Sequence, residues 1–262
     1  MTAPIPRDIP DLPAIPGIPA LPPSSVPASA VVTPVRRPLT AGFRLLTALA
    51  AAAAVTLALL DGAPLPTLSL FSVQATILLA LTLLPSARRA WTARRPLPSA
   101  LTGAILLYVT VGALVHHVLL TDPSTPYADT TPLAAPTSWQ TTLAAHLLHT
   151  AIPIAALLDW LLLTAPGRLH LRQASTWLLY PLAYLAFTLT RGELLDPGTA
   201  GRYLYPFLDV GAHGYKSTLG NALLLGLSCY ALAVLLVTLD HLRPNPIRHR
   251  SKTGFRLQPP VG

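Results

Sequence analysis

Charge is scarce in this chain of 262 residues, with 11% Asp, Glu, Lys and Arg against 52% hydrophobic residues. A soluble domain of this length would be about one-quarter charged, so that class is excluded. Cysteine is scarcer still. Cys229 is the only one and falls inside an apolar run, which leaves neither a disulfide framework nor a thiolate metal cluster. An early basic segment is also lacking before the first apolar run, so a signal peptide is not expected and the first helix should be retained.

What is abundant is long apolar sequence. Six runs, roughly 41–60, 67–84, 99–120, 141–163, 174–190 and 216–239, each approach the ~20 residues a helix needs to cross ~30 Å of hydrocarbon. The basic residues alternate across them. The first tail and opening turn carry Arg7, Arg36, Arg37 and Arg44, the second connection Arg88, Arg89, Arg94 and Arg95, and the fourth Arg168 and Arg172. Arg243, Arg248, Arg250, Lys252 and Arg256 follow the sixth run, so 15 of the 18 Lys and Arg share one side. Only Arg191, Arg202 and Lys216 fall opposite. By the positive-inside rule both termini are cytoplasmic, and the expected architecture is all-α: a polytopic bundle of six transmembrane helices in the cell membrane. The net charge of +8 then belongs to short loops and a basic tail facing anionic headgroups, and no nucleic-acid partner is expected.

The expected organisation is a proline-rich cytoplasmic tail over 1–38, a six-helix domain over 39–242 and a basic cytoplasmic tail over 243–262. Proline recurs every third position from Pro10 through Pro13, Pro16 and Pro19 to Pro22, which suits an extended polyproline II segment and excludes helix. The plain reading is a disordered, solvated linker. The alternative is a ligand for a partner domain that reads proline-rich segments.

Polar residues inside the spans carry the functional information, because an unpaired polar group is costly in hydrocarbon and faces the bundle interior. They gather toward the outer side. Ser72 and Thr76 lie one turn apart on the second span, and His116 and His117 close the third. His146 and His149 are neighbours on one face of the fourth, followed by Pro153, which cannot donate to the His149 carbonyl and should loosen the helix there. Tyr180, Tyr184, Thr188 and Arg191 form a polar stripe on the fifth, and Asp209 joins the set from the next loop, its plain alternative being a loop acid. Asp159 reads as an interfacial charge remote from this cluster. At 1.5 Å per residue Ser72 lies about 8 Å and His149 about 12 Å below the outer starts of their helices, a matched depth for a nucleophile and its base.

These residues carry a resemblance. Trp177, Tyr180, Pro181 and Tyr184, then Thr188, Arg191 and Gly192, then Tyr205 through Val210 with Gly214 and Tyr215, resemble the bacterial Pr-six-Pr family of six-helix membrane proteins. Phe71 to Gln74, Leu101 to Ala104, and His149 with Pro153, Asp159 and Trp160 fit the same pattern, over about residues 40–242. That family is distantly similar to the androgen-induced protein and ADTRP group, membrane hydrolases of fatty acid esters that use a threonine and a histidine. The resemblance implies a catalytic position for His149, followed by Thr150, and a nucleophile position for Ser72, with serine in place of threonine. Thr76 stands where close relatives have asparagine.

The activity this implies is hydrolysis of a membrane lipid ester, with lipids as partners and no cofactor. Two alternatives stay open. His116 or His117 with His146 or His149 could ligate haem or a metal between the third and fourth spans. A transporter or non-enzymatic scaffold is the other, against which counts the lack of an internal repeat or of paired Gly/Pro-broken helices.

Overall fold

The computed structural model of the chain describes residues 35–61, 63–122, 124–125, 127, 138–199 and 201–244. Residues 1–34 of the proline-rich tail, 245–262 of the basic tail and Asp129 lie outside the described residues. All regular structure among the described residues is helical. Helix α1 (Pro38–Asp61) leads through the short α2 (Pro64–Ser69) into α3 (Phe71–Trp91). Helix α4 (Ser99–Leu114) continues as a π-helical turn over Val115–Leu120. The next rod joins α5 (Trp139–His146), a π-helical turn (Leu147–Ala151), α6 (Ile152–Leu158) and a second such turn (Asp159–Leu163). Then come α7 (Leu171–Trp177), α8 (Leu179–Leu194), a 3-10 turn (Pro206–Leu208) and α9 (Val210–Leu242).

Among the described residues, five segments are long and apolar enough to cross a membrane: Pro38–Leu60, Phe71–Trp91, Ser99–Leu120, Trp139–Leu163 and Val210–Leu242. They coincide with five of the six runs. Large apolar side chains cover their outer faces, with Leu46 69% and Leu223 66% exposed. Such a surface would aggregate in water and matches lipid, as a helical membrane protein requires.

The fifth run differs from the single span expected at 174–190. It is divided at Leu178, whose N–H bonds back to Ser175 O at 3.2 Å in a tightened turn, and neither α7 nor α8 alone has the length of the other spans. Pro181 is the local cause, since it has no N–H to offer the Trp177 carbonyl. The Tyr108 hydroxyl donates to that carbonyl instead, at 2.9 Å. Pro153 produces the same situation in the fourth rod: the helix widens into a π turn over Leu147–Ala151, and His117 Nε2 donates to the freed His149 carbonyl at 3.1 Å. Helix α4 and the π turn that continues it thus answer both proline-freed carbonyls, Tyr108 the one in α7 and His117 the one in the fourth rod.

Small residues set the closest approaches. Ala41, Ala48, Ala51 and Ala54 form a buried face on α1 that packs along α3, where short side chains allow the backbones to come together. At Gly103 a Cβ would meet the Trp177 ring at 2.6 Å, and with that space open Trp177 Nε1 donates to Ala100 O at 2.8 Å. Helix α9 is interrupted at Gly214, whose φ of +72° glycine adopts without a Cβ penalty.

At the end of the bundle away from His116 and His149, two carboxylates are buried in polar ties. Arg44 Nε donates to Asp159 Oδ1 at 2.7 Å and Nη1 to Ser86 Oγ at 2.9 Å, so Asp159 is a paired charge joining α1 to the fourth rod, a role beyond the interfacial one expected. Asp240 Oδ2 accepts from the amides of Arg168 and Leu169 at 2.7 and 2.9 Å, and its other oxygen pairs with Arg243. These ties fix the 164–170 connection to the end of α9.

Candidate functional site

The site is built around the first turn of α3. Leu70 precedes it in extended conformation, and no side chain caps the turn, so its leading amides have no partner within the helix. Ser72 is the second residue of α3 and is buried against α4 at Gly112, where an added Cβ would stand 3.5 Å from the Ser72 Cβ. Phe71 anchors an aromatic collar around the same turn, its ring centroid 5.1 Å from that of Tyr184 and 5.6 Å from that of Tyr180. The stripe on α8 is spent on this corner: Tyr180 donates to Gln74 Oε1 at 2.7 Å and Tyr184 to Ser69 O at 2.9 Å.

The loop after α8 folds over the collar. Arg191 Nη1 donates to the carbonyls of Gly201 and Arg202 at 2.7 and 2.9 Å, and Arg202 Nε returns to Gly192 O at 2.5 Å. Gly192 is needed there, since a Cβ would overlap the Tyr203 ring. This double tie buries Tyr203, Tyr205 and Phe207. Burial pushes the pKa of Tyr205 up, while the Phe71 and Ser72 amides and the hydroxyls of Tyr184 and Ser72, which face its oxygen, act in the opposite direction.

His149 sits in the π turn opposite. Its Nδ1 lies 3.2 Å from Ala145 O, which assigns the proton to Nδ1 and leaves Nε2 with a free lone pair. The His116 ring stacks on it at 3.9 Å with 18° between the planes, holding the imidazole in place. Ser72, His116, His149, Ser175, Tyr184, Tyr205 and Tyr230 supply the polar groups in the wall of a cavity of about 620 Å³. The remainder is almost wholly apolar, supplied largely by α8 and α9, and includes the buried Cys229. Ser72 and His149 therefore share one cavity without a hydrogen bond joining them.

Other residues singled out in the sequence lie off that wall. Thr76 is fully buried one turn below Ser72, and Thr188 is buried with no partner for Oγ1. His146 is exposed. Asp209 caps α9, accepting from the Ala212 amide at 3.1 Å, and does not face the cavity. Among the described residues, no group of three His, Cys, Asp or Glu is placed to hold a metal ion. The haem or metal alternative meets a further obstacle: His117 Nε2 is committed to His149 O and Thr150 Oγ1, both at 3.1 Å, and the stacked rings of His116 and His149 offer each other faces.

Sequence reasoning missed Tyr205 as a cavity residue, naming it only among the residues that carry the family resemblance. It also missed Gly112 and Tyr108. A glycine opposite a polar residue on an adjoining span signals close approach, but the partner helix is not written in the sequence. Compared with known proteins, the chain matches no family model, and no curated protein or solved structure matches it.

Proposed function

We propose that the chain is a six-span protein of the cell membrane, with α7 and α8 together making the fifth crossing and both termini cytoplasmic, and that its cavity hydrolyses a lipid ester. The observation that carries the activity is the pairing on one lipid-facing cavity of a buried serine hydroxyl with a histidine whose Nδ1 is tied, leaving Nε2 as a base. The same two residues are those singled out by the resemblance to the Pr-six-Pr and androgen-induced protein groups. In the reaction Ser72 Oγ bonds to the ester carbonyl carbon while His149 Nε2 takes its proton, then returns that proton to the departing alcohol. Water, entering from the outer loops, attacks the acyl-serine through the same base. The acid leaves and the serine hydroxyl is restored. A rotamer change must close the gap between the two side chains, as is common before substrate arrives.

Ser72→Ala and His149→Ala should each reduce hydrolysis of a long-chain ester to one shared background, and the double variant should lose little more, because the pair acts as a unit. A fluorophosphonate probe should label the wild type and neither variant. Equal labelling of Ser72→Ala, or no labelling of folded wild type, would overturn the catalytic reading. The second reading, a non-catalytic membrane scaffold, is favoured by how many polar groups are consumed in helix ties, Tyr180, Tyr184 and Arg191 among them. Orientation is tested in a Cys229→Ala background: an impermeant maleimide should reach Asp196→Cys in intact cells and Thr92→Cys only after permeabilisation. The reverse pattern would invert the topology.

A further inference from the structure

The cavity has a strong chemical bias at its polar end. Its wall contains no Asp, Glu, Lys or Arg; the polar groups are hydroxyls and two imidazoles. A carboxylate or phosphate bound there would lose its hydration without gaining a counter-ion, and an uncompensated charge in a low-dielectric site is strongly disfavoured. The occupant's polar end must therefore be uncharged. Its apolar part is defined by the other walls. Leu179 and Leu182 on α8 and Leu219, Leu223 and Leu227 on α9 line the cavity and are also exposed on the outer surface. The cavity thus opens sideways between these helices, at the level where acyl chains surround the protein.

One group at the polar end is prepared to receive a carbonyl. Tyr205 is buried on the same wall as Ser72, and its phenol faces the Ser72 hydroxyl. A neutral phenol beside the serine can turn its proton from that hydroxyl to the carbonyl oxygen of an incoming ester. We propose that Tyr205 donates to the carbonyl oxygen of an uncharged long-chain ester that enters between α8 and α9, and that the site selects neutral esters over anionic lipids. This deepens the hydrolase reading of the same cavity and rests on it for the role of the carbonyl. It also favours product release, because the carboxylate product is the species the wall rejects.

Binding can be read apart from turnover in the full chain carrying Ser72→Ala, purified in uncharged detergent, by competition against radiolabelled methyl oleate. Methyl oleate should bind at least tenfold more tightly than oleate at pH 8, and more tightly than oleyl methyl ether, which has the chain but no carbonyl. Adding Tyr205→Phe should weaken the ester about three- to tenfold, as expected for one hydrogen bond, and leave the ether unchanged. The ether also reports whether the cavity is still formed. Oleate binding as tightly as its ester, equal weakening of ester and ether by Tyr205→Phe, or no binding of methyl oleate would each overturn the proposal. Selective ester binding with no hydrolysis by the Ser72-intact chain would remove the catalytic reading alone.

Discussion

Tyr108→Phe deletes one oxygen from a buried ring, and the structure says what that oxygen does. Its hydroxyl donates to the Trp177 carbonyl, which the missing N–H of Pro181 leaves without a helical donor. A buried carbonyl with no partner costs about 1–3 kcal/mol, whereas helix-to-helix hydrogen bonds in membrane bundles average about 0.6 and reach about 1.7 kcal/mol. The low average arises where the orphaned group finds another donor. Here the proline forbids the obvious one, and Trp177 is only 2% exposed. Tyr108→Phe should accordingly cost about 1.5 kcal/mol. Pro181→Ala supplies the absent N–H, and in that background the same Tyr108→Phe change should cost about 0.5 kcal/mol or less, a coupling of about 1 kcal/mol. Whatever Pro181→Ala does to stability by itself cancels in the cycle. Reversible unfolding in mixed micelles at increasing dodecyl sulfate, followed by tryptophan fluorescence, measures all four corners. Equal costs of Tyr108→Phe in both backgrounds would refute the idea that α4 answers a proline-freed carbonyl.

Two further outcomes follow from the ties at either end. Arg44→Ala leaves Asp159 as an unpaired, nearly buried carboxylate and should destabilise by about 3–5 kcal/mol in the same assay, whereas Arg44→Met with Asp159→Leu should recover most of that loss; a double variant as unstable as the single would disprove the pairing argument. Glu193 accepts from Tyr215 at 2.7 Å and Tyr203 at 3.1 Å, and these bonds hold its carboxyl below the usual range. The folded pKa is thus below the unfolded one, so the support given to the outer loop is complete above about pH 4.3 and disappears as pH falls through the folded value. Protection factors across 195–209, which divide out the intrinsic pH dependence of exchange, should fall over that acid window in the wild type and stay flat in Glu193→Gln; the same acid response in both would place the effect elsewhere.

Apolar length was the most legible property of the sequence, because the hydrocarbon thickness sets it and neighbours hardly modify it. Five runs became long helices for that reason. The loosening beside His149 was legible as well, since a proline acts on the carbonyl four residues back without help from tertiary structure, and a π turn occupies that position. The division of the fifth run was not foreseen, although Pro181 announces the same missing donor. Proline tells which carbonyl is freed and says nothing about which group will claim it. Arg44 and Asp159 posed that difficulty more sharply: 115 positions separate them, and each alone looks like a residue marking the membrane boundary.

The candidate site divides along the same line. Ser72 and His149 could be placed at one depth from helical rise alone, and they do line one cavity. Tyr205 could not. It lies in a loop with no period to follow, and its position depends on Arg191 and Arg202 tying the loop back onto α8 through three backbone carbonyls, those of Gly192, Gly201 and Arg202. Gly192 completes that arrangement by leaving room for the neighbouring ring. A hydroxyl held by a loop reaches the N-terminus of a helix only if the loop is rigid. Arg191, read in sequence as the end of a polar stripe, and Arg202, read only as one of the three basic residues on the outer side, are therefore what brings the Tyr205 donor to the cavity; weakening either should blunt ester selectivity while leaving Ser72 and His149 in place.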